Sequence, residues 1–240
     1  PYVTMTEKLV EAFPWSGGRF QIEPDASSGS YFWGAGWLLE ITDLQGSIAK
    51  ALDKPGRKLR QGESLPLADY QKSQIEVAMW PDSHWQIDAD FTIFVRAEKA
   101  HPPSEISRVH DLADSIMTAI VLAPFASRFV RFTDTARLRV QECERVVALR
   151  TELTKCGATV VEEGDTLTVY PSQLHGADIE TYNDHRMAMC FAILGLKVPG
   201  IRLKNPACVK KTFPNFFQKL ATPPPNGLDV EIRDGGTGRR

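Results

Sequence analysis

The sequence predicts an α/β fold. Apolar residues recur at helical spacing in several segments, two short runs alternate around a Glu-Gly-Asp turn, and the two patterns follow one another along the chain.

From Thr4 to Phe13, the spacing of Met5, Leu9, Ala12 and Phe13 predicts a helix, and Arg19 to Glu23 alternates as a short strand before the turn at Pro24. Asp25, Ser27 and Ser28 offer N-caps for an apolar helix reaching Leu39. Residues 42–83 are polar and lysine-rich, broken by Pro55, Gly56, Gly62, Pro66 and Pro81, and read as an irregular insertion with one short strand at Ile75 to Met79.

A helix is expected from Asp111, with Leu112, Ile116, Ala119, Ile120 and Ala123 on its apolar face and Asp111, Asp114, Ser115 and Thr118 on a polar one. Val146, Leu149 and Leu153 predict the next helix, closed by Gly157 and followed by a hairpin of Ala158 to Val161 and Thr166 to Tyr170. Another helix opens at Tyr182-Asn183-Asp184 and runs to Leu196, and a last one opens near Thr212-Phe213-Pro214, where proline suits the first turn. Beyond Leu220, a segment with Pro223 to Pro225 and a Gly/Arg end reads as a tail of low burial.

The 240 residues, 42% of them hydrophobic, suffice for one large domain or two small ones. Lys and Arg total 28 against 30 Asp and Glu, with no basic run, so no nucleic-acid partner is expected and any anion must be held by local clusters. The four cysteines form no CxxC pair, which fits reduced thiols in the cytoplasm and neither a zinc site nor a redox motif. No apolar run approaches the roughly 20 residues of a membrane span, and the first residues lack the order of a signal peptide. A start at Pro1 without methionine reads as a cut or processed end.

Arg145, Arg186, Lys210 and Lys211 fall beside expected helix starts, where free N–H groups and the dipole favour anions, and together they suggest a phosphate or carboxylate site. Any one of them alone reads as ordinary surface charge. Asp114 and Glu142 stand on otherwise apolar helices and could exchange protons with a ligand between them; each singly reads as a cap or a solvated carboxylate. His185, after Asp184, could be a base or a phosphate donor, and equally a structural histidine.

The run YNDHRMAMCFAI from Tyr182 resembles the C-terminal signature of the 5-enolpyruvylshikimate-3-phosphate synthases. IEPDASSGSYF from Ile22, LRVQECERV from Leu138, CVKKTFPNFF from Cys208 and, more weakly, LADSIMTA from Leu112 resemble the same family in the same order. The DHRMAM string argues against the related nucleotide-sugar transferase and cyclase.

The resemblance implies repeated βαβαββ units in an inside-out α/β barrel lobe. It also implies transfer of the enolpyruvyl group of phosphoenolpyruvate to the 5-hydroxyl of shikimate 3-phosphate, without metal or organic cofactor. Arg145, Arg186 and Lys211 would hold phosphoenolpyruvate and face glyphosate, Glu142 would exchange a proton with the methylene, and Asp114 would accept the hydroxyl proton. Tyr2, Asp114, Arg137 and Gln141 would line the shikimate 3-phosphate side, with Asp184 and His185 in support. The family usually has lysine where Gln141 stands and an amide where Arg137 stands, and Arg137 is expected to swing in and replace the lost charge.

By the same resemblance, residues 1–23 are the last unit of a first lobe, 24–220 a second lobe, and 221–240 a tail without counterpart. The remainder of the first lobe would be supplied in cis or in trans. The competing expectation is a non-catalytic anion-binding domain, or one half of a two-chain enzyme.

Overall fold

The computed structural model describes residues 1–40, 75–96 and 102–233. Most of the expected insertion therefore lies outside the described residues.

Helix α1 (Tyr2–Ala12) buries none of its residues. Helix α2 (Ala26–Glu40) opens as its caps predict, with Ser27 N–H donating to Asp25 Oδ1 at 3.0 Å. Between them Arg19 to Glu23 forms no strand, and Ile75 to Met79 forms none either. Alternation alone does not make a strand; a ladder partner must be there to accept its bonds.

After the short helix α3 (Phe91–Val95), the segment from Glu105 to Tyr170 runs β-α-β-α-β-β. Its elements are β1 (Glu105–Ser107), α4 (Ile116–Leu122), β2 (Val130–Thr133), α5 (Arg145–Lys155), β3 (Thr159–Glu163) and β4 (Thr166–Tyr170). The strands form one mixed sheet in the order β1-β2-β4-β3, with β1 parallel to β2 and the other pairs antiparallel. In β2, Val130 and Phe132 are buried while Arg131 between them is exposed, so one face turns to the core. Gly157, at φ +93°, ends α5 in the left-handed conformation that a Cβ disfavours.

A further unit begins with β5 (Asp178–Ile179), α6 (His185–Gly195), β6 (Arg202–Leu203) and α7 (Phe216–Ala221), with β5 parallel to β6. The last helix opens two residues past Pro214, and Lys210 and Lys211 sit at the end of a 3-10 turn (Pro206–Lys211), not at a helix start as expected.

The helices form the centre. Every residue of α4 is buried, and α2, α4 and α6 pack on one another. Of the expected polar face, Asp111 is exposed but Asp114, Ser115 and Thr118 are buried: Ser30 and Thr118 share a 2.9 Å hydrogen bond between α2 and α4, and Thr118 lies 3.8 Å from Cys190 Sγ on α6. At Gly34 a Cβ would come within 3.0 Å of Leu122, so glycine permits the close approach of α2 to α4. Asp111 to Ser115 do not belong to the helix proper but form a π-turn (Arg108–Leu112) and a 3-10 turn (Ala113–Ser115) leading into it.

As far as Arg233 the tail is exposed for the most part yet folds back, with Leu228 and Val230 N–H both donating to Leu220 O. Among the described residues, no helix is long and apolar enough to cross a membrane.

Candidate active site

Four helix starts converge, and two arginines, Arg145 and Arg186, tie them together. Arg186, in the first turn of α6, donates its backbone N–H to Asp184 Oδ1 at 2.8 Å, and its guanidinium lies 3.5 Å from Asp114 Oδ2, just ahead of α4. The same guanidinium donates to Ser27 Oγ at 3.2 Å and Tyr31 OH at 3.5 Å on α2. Arg145, the first residue of α5, donates Nε to Asp184 Oδ2 at 2.7 Å and Nη1 to Gln141 Oε1 at 2.7 Å. Gln141 in turn donates to Asp114 Oδ1 at 3.4 Å. The four N-termini thus face one polar cluster, where the helix dipoles favour negative charge.

Local backbone geometry sets the two aspartates. Ala113, before Asp114, takes φ +42°, and Tyr182 and Asn183, before Asp184, take φ +53° and +55°. Such positions are costly for residues with a Cβ and persist where the surroundings impose them. Here the fully buried Glu152 does so, accepting from Tyr182 OH at 2.8 Å and Glu180 N–H at 3.1 Å. Asn205 Nδ2 donates to Asn183 Oδ1 at 3.0 Å from the other side.

Charge distribution follows from these contacts. Burial pushes the Asp114 carboxyl up, but Arg186, Arg108 and Arg145 outweigh it and hold it below the ordinary range. Asp184 is likewise held low, its burial overcome by Arg145. Asp88, buried with fewer compensating cations, is pushed up to about 6. Its Oδ1 accepts from Ser115 N–H at 2.7 Å and its Oδ2 from Tyr2 OH at 3.2 Å, which brings α1 to the edge of the cluster. His185 is held low by burial, and its Nδ1 has no hydrogen-bond partner.

Of the residues singled out in the sequence, Tyr2, Asp114, Gln141, Arg145, Asp184, His185 and Arg186 are thus brought together, while Glu142 and Lys211 form a more exposed ion pair within electrostatic reach of Asp184 and His185. Glu142 stands on the bend before α5, not on a helix as expected, and Lys211 holds its carboxyl below the ordinary range. Arg137 is exposed and bonds neither Gln141 nor Asp114; the cation on Asp114 Oδ1 is Arg108, whose Nη2 donates at 2.7 Å. That corrects the expected swing of Arg137. Arg108 and Asp88, which bond Asp114 and the start of α4, were not among the residues singled out in the sequence.

Among the described residues, no group of three or more His, Cys, Asp or Glu side chains is set to hold a metal. The arrangement suits a small, multiply charged anion: planar arginine forks, a lysine at the rim, and carboxylates that can move protons.

Fold and cluster together define an α/β protein with an arginine-rich polar cluster at gathered helix starts. The sequence model of one family, EPSP synthase (3-phosphoshikimate 1-carboxyvinyltransferase), matches residues 6–220, and the chain belongs to that family. It is 37% identical over 207 residues to a 3-phosphoshikimate 1-carboxyvinyltransferase of Salmonella arizonae, covering 86% of this chain and 44% of the relative. A Nostoc punctiforme protein of the same name is 35% identical over 202 residues, with 84% and 43% covered. Among solved structures, EPSP synthase from Acinetobacter baumannii superimposes with a TM-score of 0.52 at 20% identity, over 91% of this chain and 50% of that one, a likeness of fold. The chain thus spans less than half the length of these curated relatives.

Proposed function

We propose that this chain supplies the phosphoenolpyruvate side of an enolpyruvyl transferase acting on shikimate 3-phosphate, with the rest of the relatives' length supplying the other side. The observation that carries the reading is the bridge made by Arg186 between Asp114 and Asp184, within a chain of this family. A doubly charged anion placed there meets Arg145, Arg186 and Lys211 together with the α5 and α6 N-termini.

In this reading, Asp114 takes the proton of the 5-hydroxyl as its oxygen bonds to C2 of phosphoenolpyruvate, and Glu142 donates a proton to C3. Glu142 then recovers a proton from the methyl group so formed, the bond from C2 to the phosphate oxygen breaks, and phosphate leaves. Lys211 has a double part. When the ligand phosphate draws it from Glu142, the carboxyl loses the cation that keeps it ionised and gains affinity for the proton it must donate.

Tyr2, Gln141 and Arg137 belong to the shikimate 3-phosphate side in this proposal, and Asp184 and His185 support the arginines. Residues 1–23 would close a first lobe and 24–220 form a second, working in the cytoplasm.

Deuterium uptake tests the reading. In heavy water with shikimate 3-phosphate, the complete enzyme should exchange the methylene protons of phosphoenolpyruvate, and Glu142→Gln should stop the exchange. Undiminished exchange in that variant would remove Glu142 from the role. A non-catalytic anion-binding domain would show binding and no exchange in either protein.

A further inference from the structure

Asp114 Oδ1 accepts from two donors on different segments: Arg108 Nη2 at 2.7 Å and Gln141 Nε2 at 3.4 Å. Gln141 occupies the position where the family resemblance places lysine, and an amide there reaches the carboxylate without bringing charge. The charge comes from the other side.

Arg108 is 7% exposed, and its Nε has no hydrogen-bond partner. It opens the π-turn ahead of Asp114, and Ser107 Oγ fixes that start by accepting from Val109 N–H at 3.1 Å and His110 N–H at 3.0 Å. Burying a guanidinium with an unbonded N–H is costly, and a well-packed apolar side chain of similar volume is often at least as stable. Stability alone therefore does not explain an arginine at this position.

We propose that Arg108 is a positioning residue that supplies, from the opposite side of Asp114, the positive charge a lysine at position 141 would carry, and so fixes Asp114 to take the substrate's proton. This rests on the enolpyruvyl-transfer reading for the task of Asp114, but the pairing itself can be judged without turnover. The charged and titratable groups facing Asp114 are Arg108, Arg186 and Arg145, with Asp88 and Tyr2 beyond them.

The test combines Arg108→Met with Gln141→Lys. In this chain, the Asp114 carboxyl is followed by NMR titration. Arg108→Met should raise its midpoint, and adding Gln141→Lys should bring it back, because the lysine would approach the same oxygen. In the complete enzyme, kcat/KM should fall roughly tenfold or more in Arg108→Met, the scale of a charge-assisted bond lost, with its acid limb moved to higher pH. The double variant should recover most of that loss.

A midpoint that does not move in Arg108→Met, or that moves and is not restored by Gln141→Lys, overturns the proposal, since a purely structural arginine would not be replaced from position 141. Should Arg108→Met fail to fold, the double variant decides: a folded protein with a low Asp114 midpoint supports the exchange of cations, and an unfolded one overturns it. Absent turnover in the unmodified complete enzyme would defeat the catalytic reading, while the titration still judges Arg108.

Discussion

Arg145 and Asp184 form a two-pronged ion pair, Nε to Oδ2 at 2.7 Å and Nη2 to Oδ1 at 3.3 Å, with both side chains almost wholly out of water. The pair joins the start of α5 to the cap of α6, so it holds the cluster's geometry as well as its charge. Asp184→Asn keeps the shape and leaves a buried guanidinium uncompensated, a change expected to cost about 3–5 kcal/mol. For a chain of this size the melting temperature should fall by roughly 10 °C. A drop within about 2 °C would show that the pair is not what holds the two helices.

Asp88 gives a pH dependence of opposite sign to that of Asp114 and Asp184. Its folded pKa of about 6 lies above the ordinary 3.8, so the folded chain binds that proton more tightly. The stability this contributes is fully present below pH 3.8 and is lost as pH rises through 6, a change on the order of 3 kcal/mol. Asp88→Asn should therefore be more stable than the parent at pH 7 and indistinguishable from it at pH 4, as read from urea midpoints. Asp114 and Asp184, held low, work the other way: their stabilisation is present above the ordinary carboxylate range and disappears as pH falls below it.

Lys211 separates binding from stability. Its pair with Glu142 is largely exposed, and such pairs contribute about 0–1 kcal/mol. Lys211→Met should leave the melting temperature almost unchanged, return the Glu142 titration toward its ordinary range, and weaken phosphoenolpyruvate binding in the complete enzyme at least ~10-fold, as expected for a lost charge-assisted contact. Unchanged affinity would take Lys211 out of the proposed site.

Glu152 touches no residue that the proposal assigns to either ligand, yet it anchors the turn before Asp184. Glu152→Ala removes the fully buried acceptor of two hydrogen bonds, one from the hydroxyl of the more exposed Tyr182 and one from the half-buried Glu180 N–H. A loss of about 1–3 kcal/mol is expected, together with weaker anion binding as Tyr182 and Asn183 relax from their left-handed conformations. Calorimetry that finds the stability loss and full anion affinity would show that the turn is held by other contacts.

Much of the fold was legible because its signals are local. The Asp25 and Asp184 caps, the Gly157 stop and the turn between β3 and β4 each lie within a few residues of the element they define. What escaped depends on distant partners. Asp114, Ser115 and Thr118 read as a solvent face because polar residues at helical spacing normally are one, whereas here they bond to Arg108, Asp88 and Ser30 inside the protein. Arg19 to Glu23 alternates like a strand but finds no neighbour to pair with. Asp88 meets Tyr2 across 86 positions, a separation over which periodicity carries no information. The arginines at the helix starts were legible from capping logic, while Arg108, a lone charge ahead of a turn, gave no signal in the sequence.

Phosphate release decides whether this chain holds one side of an enolpyruvyl transferase site. Phosphoenolpyruvate and shikimate 3-phosphate are supplied to the chain alone, and to the chain mixed with a polypeptide covering the first part of a 3-phosphoshikimate 1-carboxyvinyltransferase. The predicted result is no release from the chain alone and steady release from the mixture, abolished by Asp114→Asn. Equal release from the chain alone, or an inert mixture of two folded polypeptides that bind each other, would show that the chain does not hold that half of the site.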